Sequence, residues 1–178
     1  MRTMLTAVSA TVLLLTTGSA ASAREAAAPC AGQIHPNPGF ERGTTGWTAG
    51  PRIVVLGDAH QGRAYAALAG LDVTRTDLLR TSVTVPANCN LTVKFWVRTT
   101  TTETSRGDYM NVSFAVTGVP PKTYFSLSSD GSPDWYQYSG STGTAATERT
   151  ATVVFAASET AGNGVTAFDV DDVRFTLS

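Results

Sequence analysis

Leu91-Thr92-Val93-Lys94-Phe95-Trp96-Val97-Arg98 decides the fold class. Leu91, Val93, Phe95 and Val97 share one side of an extended chain, and Thr92, Lys94, Trp96 and Arg98 share the other, because successive strand side chains point to opposite faces. A helix would scatter the same apolar residues around its circumference, so the period of two indicates a half-buried strand. The pattern returns in Tyr109 to Val116, where Met110, Val112, Phe114 and Val116 form the apolar side. Further strands are expected over Arg52 to Leu56, Ala64 to Ala69, Asp77 to Val85, Lys122 to Leu127, Trp135 to Ser139, Arg149 to Ala156 and Val165 to Leu177. Ala49-Gly50-Pro51, Ser129-Asp130-Gly131-Ser132-Pro133 and Gly162-Asn163-Gly164 supply turns between them. Many short strands without a convincing helix imply an all-β protein, an antiparallel β-sandwich of jelly-roll type.

Compartment and size follow from the N-terminal residues. Arg2, the apolar stretch Met4 to Leu15 and the small-residue site Ala21-Ser22-Ala23 have the layout of a secretory signal peptide over residues 1–23, with cleavage expected after Ala23. The apolar run is shorter than the roughly 20 residues that span a bilayer, so no membrane anchor is expected. Residues 24–33 then form an N-terminal segment carrying a cysteine, and residues 34–178 a single sandwich domain. The protein is therefore expected to be secreted and extracellular, and monomeric.

The chain has 13 Lys and Arg against 14 Asp and Glu, with no basic stripe, which disfavours nucleic acid as a partner. Its two cysteines, Cys30 and Cys89, are expected to form a disulfide in an exported protein. The run Thr99 to Thr104 is expected as a connecting loop, and Trp47 as a core residue. Catalysis finds no constellation: His35 and His60 lie in no nucleophile motif, no Gly-x-Ser-x-Gly elbow occurs, and Asp169, Asp171 and Asp172 crowd one strand instead of flanking a groove. The protein is not expected to be an enzyme.

Binding chemistry is expected on the outward parity. A pyranose offers C–H surface to an aromatic face and hydroxyls to polar groups. Trp96, with Lys94 and Arg98 beside it, has this character, and Tyr109 and Asn111 occupy the corresponding parity of a later strand; Arg80 joins them if Leu79, Thr81, Val83 and Val85 face the core. Trp135 is equally compatible with an exposed platform and with core packing.

Asn37-Pro38-Gly39-Phe40-Glu41, Gly46-Trp47, Thr76-Asp77-Leu78-Leu79, Thr81 to Cys89, Phe95-Trp96-Val97, Glu103-Thr104 and Val170-Asp171-Asp172-Val173 together resemble a secreted actinobacterial β-sandwich module of the galactose-binding-like, carbohydrate-binding type. Such modules are often found C-terminal to secreted peptidases or glycosidases. The resemblance implies a structural calcium where the two ends of the sandwich meet, with Glu41 and Asp171 as ligands and the stretch Asp58 to Gly62 nearby. It implies a noncatalytic module for a polysaccharide or cell-wall glycan. The alternative is an extracellular protein-interaction or cell-surface structural domain that presents Thr99 to Asp108 to a protein partner.

Overall fold

The computed structural model describes residues 30–178. The signal-peptide and cleavage-site expectations, and residues 24–29 of the N-terminal segment, lie outside the described residues. Among the described residues no helix is long and apolar enough to cross a membrane.

Among the described residues eleven strands form two antiparallel sheets. They are β1 (Gly32–Gln33), β2 (Thr48–Ala49), β3 (Val54–Leu56), β4 (Ala64–Ala69), β5 (Arg75–Val85), β6 (Leu91–Thr101), β7 (Tyr109–Val116), β8 (Val119–Ser128), β9 (Tyr136–Ser141), β10 (Arg149–Glu159) and β11 (Thr166–Leu177). One sheet runs β3-β4-β11-β6-β9 with β1 added to β11, and the other runs β2-β5-β10-β7-β8. From β4 onward the chain changes sheet at nearly every connection, and only β7 and β8 follow one another within a sheet. The jelly-roll sandwich expected from the period of two is thus the observed architecture.

The inward parities make the core. Leu91, Val93, Phe95 and Val97 of β6 face Met110 and Val112 of β7 and Val153 and Phe155 of β10, all buried. Phe95 lies at the centre, its ring 5.1 Å from Phe155, edge-on, and 5.6 Å from Tyr138. Each such fully buried large side chain contributes about 1.5–3 kcal/mol relative to exposure. Trp47 packs in the core with Phe40 at 5.1 Å and His35 at 4.6 Å, as expected.

Cys30 and Cys89 form the expected disulfide, with Cα atoms 5.2 Å apart. It fastens the segment before β1 to the β5–β6 turn, and closing a loop of this length is worth roughly 4 kcal/mol in the chain-entropy model. The threonine run departs from expectation. Thr99 to Thr101 continue β6 instead of forming a loop, paired with Phe168, Ala167 and Thr166 of β11, and Thr99 is buried. A β-branched residue continues a strand readily, so the run extends the ladder until the β11 partner ends.

Candidate functional site

The two outer faces of the sandwich differ in what covers them. Over the β3-β4-β11-β6-β9 sheet, the connection between β3 and β4 folds back across the outward side chains. His60 in this connection stacks on Trp96, ring centroids 4.0 Å apart and planes 17° from parallel, and its Nδ1 lies 2.8 Å from Asp172 Oδ2. Trp96 is therefore a half-buried ring already roofed by a histidine.

Arg98, two residues on, is enclosed in the same way. Its Nε and Nη2 donate to Asp169 Oδ2 at 3.0 and 2.8 Å, and Nη1 donates to Asp58 Oδ2 at 2.8 Å. The guanidinium carbon stands 4.8 Å from the Trp135 ring centre and 5.7 Å from that of Tyr65. Trp135 thus folds over the outward face as a cover for Arg98, neither a core residue nor an open platform. Burial pushes the Asp169 carboxyl up, and Arg98 opposes that shift. Lys94 remains exposed, at the edge of a cleft of about 410 Å³ that also includes His60, Trp96, Gln137 and Arg174.

The terminal motifs meet beside this cover. Asn37 pins the turn that follows it: its Nδ2 donates to Gly43 O and Thr45 O at 2.9 and 3.2 Å, its Oδ1 accepts from Arg42 N, and its carbonyl accepts from Trp47 Nε1 at 2.9 Å. Glu41 then reaches the far end of the covering loop, where Oε1 accepts from Arg63 N and Ala64 N at 2.7 and 2.8 Å. These two N–H groups hold its carboxyl below the usual range. The close approach of Glu41 explains Gly62: at φ +71°, a Cβ there would lie 2.2 Å from Glu41 Oε1.

On β11 the register with β6 shifts between Asp171 and Arg174, and Asp172 takes φ +48°. This bulge turns two adjacent carboxylates toward the loop. Asp171 is fully buried; its Oδ2 accepts from Gln61 N at 3.0 Å and its Oδ1 from Asp172 N at 2.7 Å. Burial pushes its pKa up to about 6, the two N–H groups opposing and the neighbouring Asp172 charge assisting.

The hard oxygens of Glu41, Asp171 and Asp172 suit calcium, and His60, Asp171 and Asp172 each bring one ligand atom within 4.8 Å of one another. Yet the buried oxygens here are satisfied by backbone N–H groups, and Asp172 is held by His60 and by Arg174 at 3.4 Å. Glu41 and Asp171 meet at one seam, joined through the covering loop. Their donor chemistry fits a cation, and no orphaned oxygen among them calls for one.

The opposite sheet holds the other half of the expected site. Arg80 lies on β5 and Tyr109 and Asn111 on β7, so these three are on the outer face of β2-β5-β10-β7-β8, across the whole sandwich from Lys94, Trp96 and Arg98. The six residues do not form one surface. Equal outward parity on β6 and β7 places side chains on opposite sides of the molecule, because these consecutive strands belong to different sheets.

Among the described residues no loop folds across this second face. Its central strand β10 presents small residues: Val154 sits between Arg80 and Ser113, and Ala156 between Leu78 and Asn111. Ser158 lies between Thr76 and Tyr109 in the next outward row. Small side chains along the middle strand and longer ones on both neighbours make a trough. Leu78 is 51 % exposed and Tyr109 44 %. Arg80 is exposed and enters no ion pair among the described residues, and the Asn111 amide has no hydrogen-bond partner among them. Hydroxyls pave the rest, with Ser82 to Thr152 at 2.8 Å, Thr76 to Ser158 at 3.3 Å and Ser113 to Thr123 at 3.3 Å. At the β2 edge the trough opens into a cleft of about 460 Å³ bordered by Thr48, Pro51, Thr76, Leu78 and Arg80. Ser113 was expected on this face beside Tyr109 and Asn111; Leu78 and the hydroxyls of β5 and β10 were not, although their parity with Arg80 was available to indicate them.

No protein-family model matches the chain. No curated protein matches it either. Among solved structures it is similar to the TmCBM61 module in complex with β-1,4-galactotriose, with TM-score 0.56 and 21 % identity over 80 % of this chain and 95 % of that one. It is also similar to a family 16 carbohydrate-binding module, with TM-score 0.53 and 16 % identity over 80 % and 98 %. The CBM22-1 xylan-binding domain of Paenibacillus barcinonensis Xyn10C gives TM-score 0.52 and 18 % identity over 84 % and 97 %. The chain shares the β-sandwich fold of carbohydrate-binding modules.

Proposed function

We propose that the protein is a secreted, noncatalytic glycan-binding module and that it takes its ligand in the trough across β5, β10 and β7. The observation that carries this reading is the contrast between the two faces. Trp96, Arg98 and Trp135 are engaged with His60, Asp169, Asp58 and one another, whereas Arg80, Leu78 and Tyr109 are exposed and the half-buried Asn111 amide has no partner among the described residues, across a floor of small side chains. A sugar ring has matching needs: C–H surface for Tyr109 and Leu78, and hydroxyls for Arg80, Asn111 and the serine and threonine rows. Three of the six expected ligand residues, Arg80, Tyr109 and Asn111, are kept in that role. On the other sheet Trp96 and Arg98 are packed beneath His60 and Trp135, and Lys94 stands exposed at the edge of that cover.

The shared fold with modules described as bound to galactotriose and as xylan-binding supports the ligand class. A calcium ion held by Glu41 and Asp171 at the seam belongs to the same proposal as a structural cofactor: it would fasten the covering loop and take no part in ligand contact. The alternative in which residues 99–108 serve a protein partner is less favoured, because Glu103, Asp108 and the first part of this stretch are committed to internal hydrogen bonds. A glycan array probed with the purified protein tests the reading. Saturable binding to a set of related polysaccharides is expected, and silence across plant, fungal and bacterial wall glycans would overturn it.

A further inference from the structure

At the end of the sandwich where β6, β7 and β10 give way to loops, Glu103, Asp108 and Asn163 are drawn together. Glu103 Oε1 accepts from Asp108 N at 3.1 Å and from Asn163 Nδ2 at 2.6 Å. Asp108 Oδ1 accepts from Thr160 N at 2.7 Å. Each of the three side chains then has one oxygen left, and all three of these, Glu103 Oε2, Asp108 Oδ2 and Asn163 Oδ1, are buried without a hydrogen-bond partner. Glu159, next to Thr160, repeats the pattern: Oε1 accepts from Leu71 N and Asp72 N, while Oε2 is buried and unpartnered. Asp108 and Glu159 are each only 2 % exposed.

Unpaired buried carboxylate oxygens are costly, and proteins resolve them with a counter-charge, a proton or a metal. No arginine or lysine supplies the charge here. The ion pairs among the described residues include none of these acids; Arg75, opposite Glu159 on β5, is turned to Asp77, and Arg106 pairs with Asp130 on the surface. Asp72 adds another negative charge nearby. The space is also kept clear by Gly107, where a Cβ would lie 2.5 Å from Asn163 Nδ2 and 3.4 Å from Glu103 Oε1. Burial raises the Asp108 pKa; the Thr160 N–H and the Thr166 hydroxyl oppose the shift, and the Glu103 and Asp72 charges add to it, so no counter-charge offsets the carboxylate.

We propose that Glu103, Asp108 and Asn163 bind a calcium ion, with Glu159 on the adjoining wall, at a site separate from the seam of Glu41 and Asp171. Two carboxylates and an amide oxygen are hard donors, and calcium accepts the irregular geometry and loop carbonyls that such a place offers. The site ties the β6–β7 connection to the β10–β11 connection, at the end of the sandwich away from the disulfide.

Titration calorimetry and thermal melts of the metal-stripped protein with calcium chloride at pH 7 test the proposal. At the millimolar to submillimolar affinity of extracellular sites, 10 mM calcium is expected to raise Tm by roughly 3–10 °C, with magnesium less effective. Asp108→Asn should weaken this binding at least tenfold while Glu41→Gln retains it. If Asp108→Asn does not fold, Glu103→Gln, which preserves the acceptor for both N–H donors, makes the same comparison. A wild-type protein indifferent to calcium, with Asp108 and Glu103 instead sharing a proton in a carboxyl NMR titration, would overturn the proposal. So would calcium binding that survives Asp108→Asn and Glu103→Gln and is lost in Glu41→Gln, since the ion would then be at the seam.

Discussion

Replacing Trp96 with alanine separates a structural ring from a binding platform. In the fold the ring lies half-buried under His60, at a centroid distance of 4.0 Å, with Asp171 opposite it on β11. Truncation removes the stacked pair, worth about 0.5–1.5 kcal/mol, and part of the 3–5 kcal/mol that a fully buried aromatic loses on truncation to alanine. It also leaves His60 without support over Asp172, to which it is hydrogen-bonded. Together these give a cost of about 2–3 kcal/mol, or a Tm lowered by roughly 4–12 °C for a domain of this size. Calorimetry and urea unfolding measure that loss, and Trp96→Phe should recover part of it. Glycan retention below the melting range should be unchanged. A Trp96→Ala protein of wild-type stability that no longer binds glycan would refute the reasoning, because the ring would then be a platform that His60 vacates for the ligand.

Two further perturbations probe the same cover. Arg98→Ala leaves the buried Asp169 carboxylate unpaired, and a cost of about 3–5 kcal/mol is expected in urea unfolding; adding Asp169→Asn should restore more than half, and a single variant costing under about 1 kcal/mol would show that solvent already suffices for the Asp169 charge. Asp171, raised to about 6, binds a proton in the fold that the unfolded chain releases near pH 4, so its contribution favours the fold below that point and is lost as pH rises through 6. In chelator the effect amounts to at most about 3 kcal/mol, and subtracting the pH profile of Asp171→Asn isolates it; identical profiles would contradict the burial argument. A cation bound at the seam would reverse that trend, since it favours the charged form.

Much of the fold was legible in the sequence because alternation is a local signal. The apolar sides of Leu91 to Val97 and Met110 to Val116 both face the core, and Cys30 and Cys89 join as their number and compartment suggested. Sheet membership is not local. Nothing in Trp96 or Tyr109 reports that the connection over residues 102–108 carries the chain from one sheet to the other, so residues of equal parity appeared to form one surface. The covering loop was equally hidden, since His60 meets Trp96 only through the path of residues 57–63, which Glu41 and Asp171 fix from positions distant in sequence. The bulge that turns Asp171 and Asp172 together has no signature in Val170-Asp171-Asp172-Val173. The Glu103 cluster likewise joins Glu103 and Asp108 of the β6–β7 connection to Glu159 at the end of β10 and Asn163 beyond it, which only the fold brings together.

The central claim, that scaffold and site occupy opposite faces, is tested most directly by measuring the affinity of one responsive polysaccharide for the wild type, Tyr109→Ala, Arg80→Ala and Trp96→Ala by affinity electrophoresis. Loss of the Tyr109 stacking surface is expected to weaken binding about tenfold, and loss of the Arg80 charged hydrogen bonds by at least as much, while Trp96→Ala binds like the wild type. Undiminished binding in both Tyr109→Ala and Arg80→Ala, with binding abolished in a folded Trp96→Ala, would contradict the account.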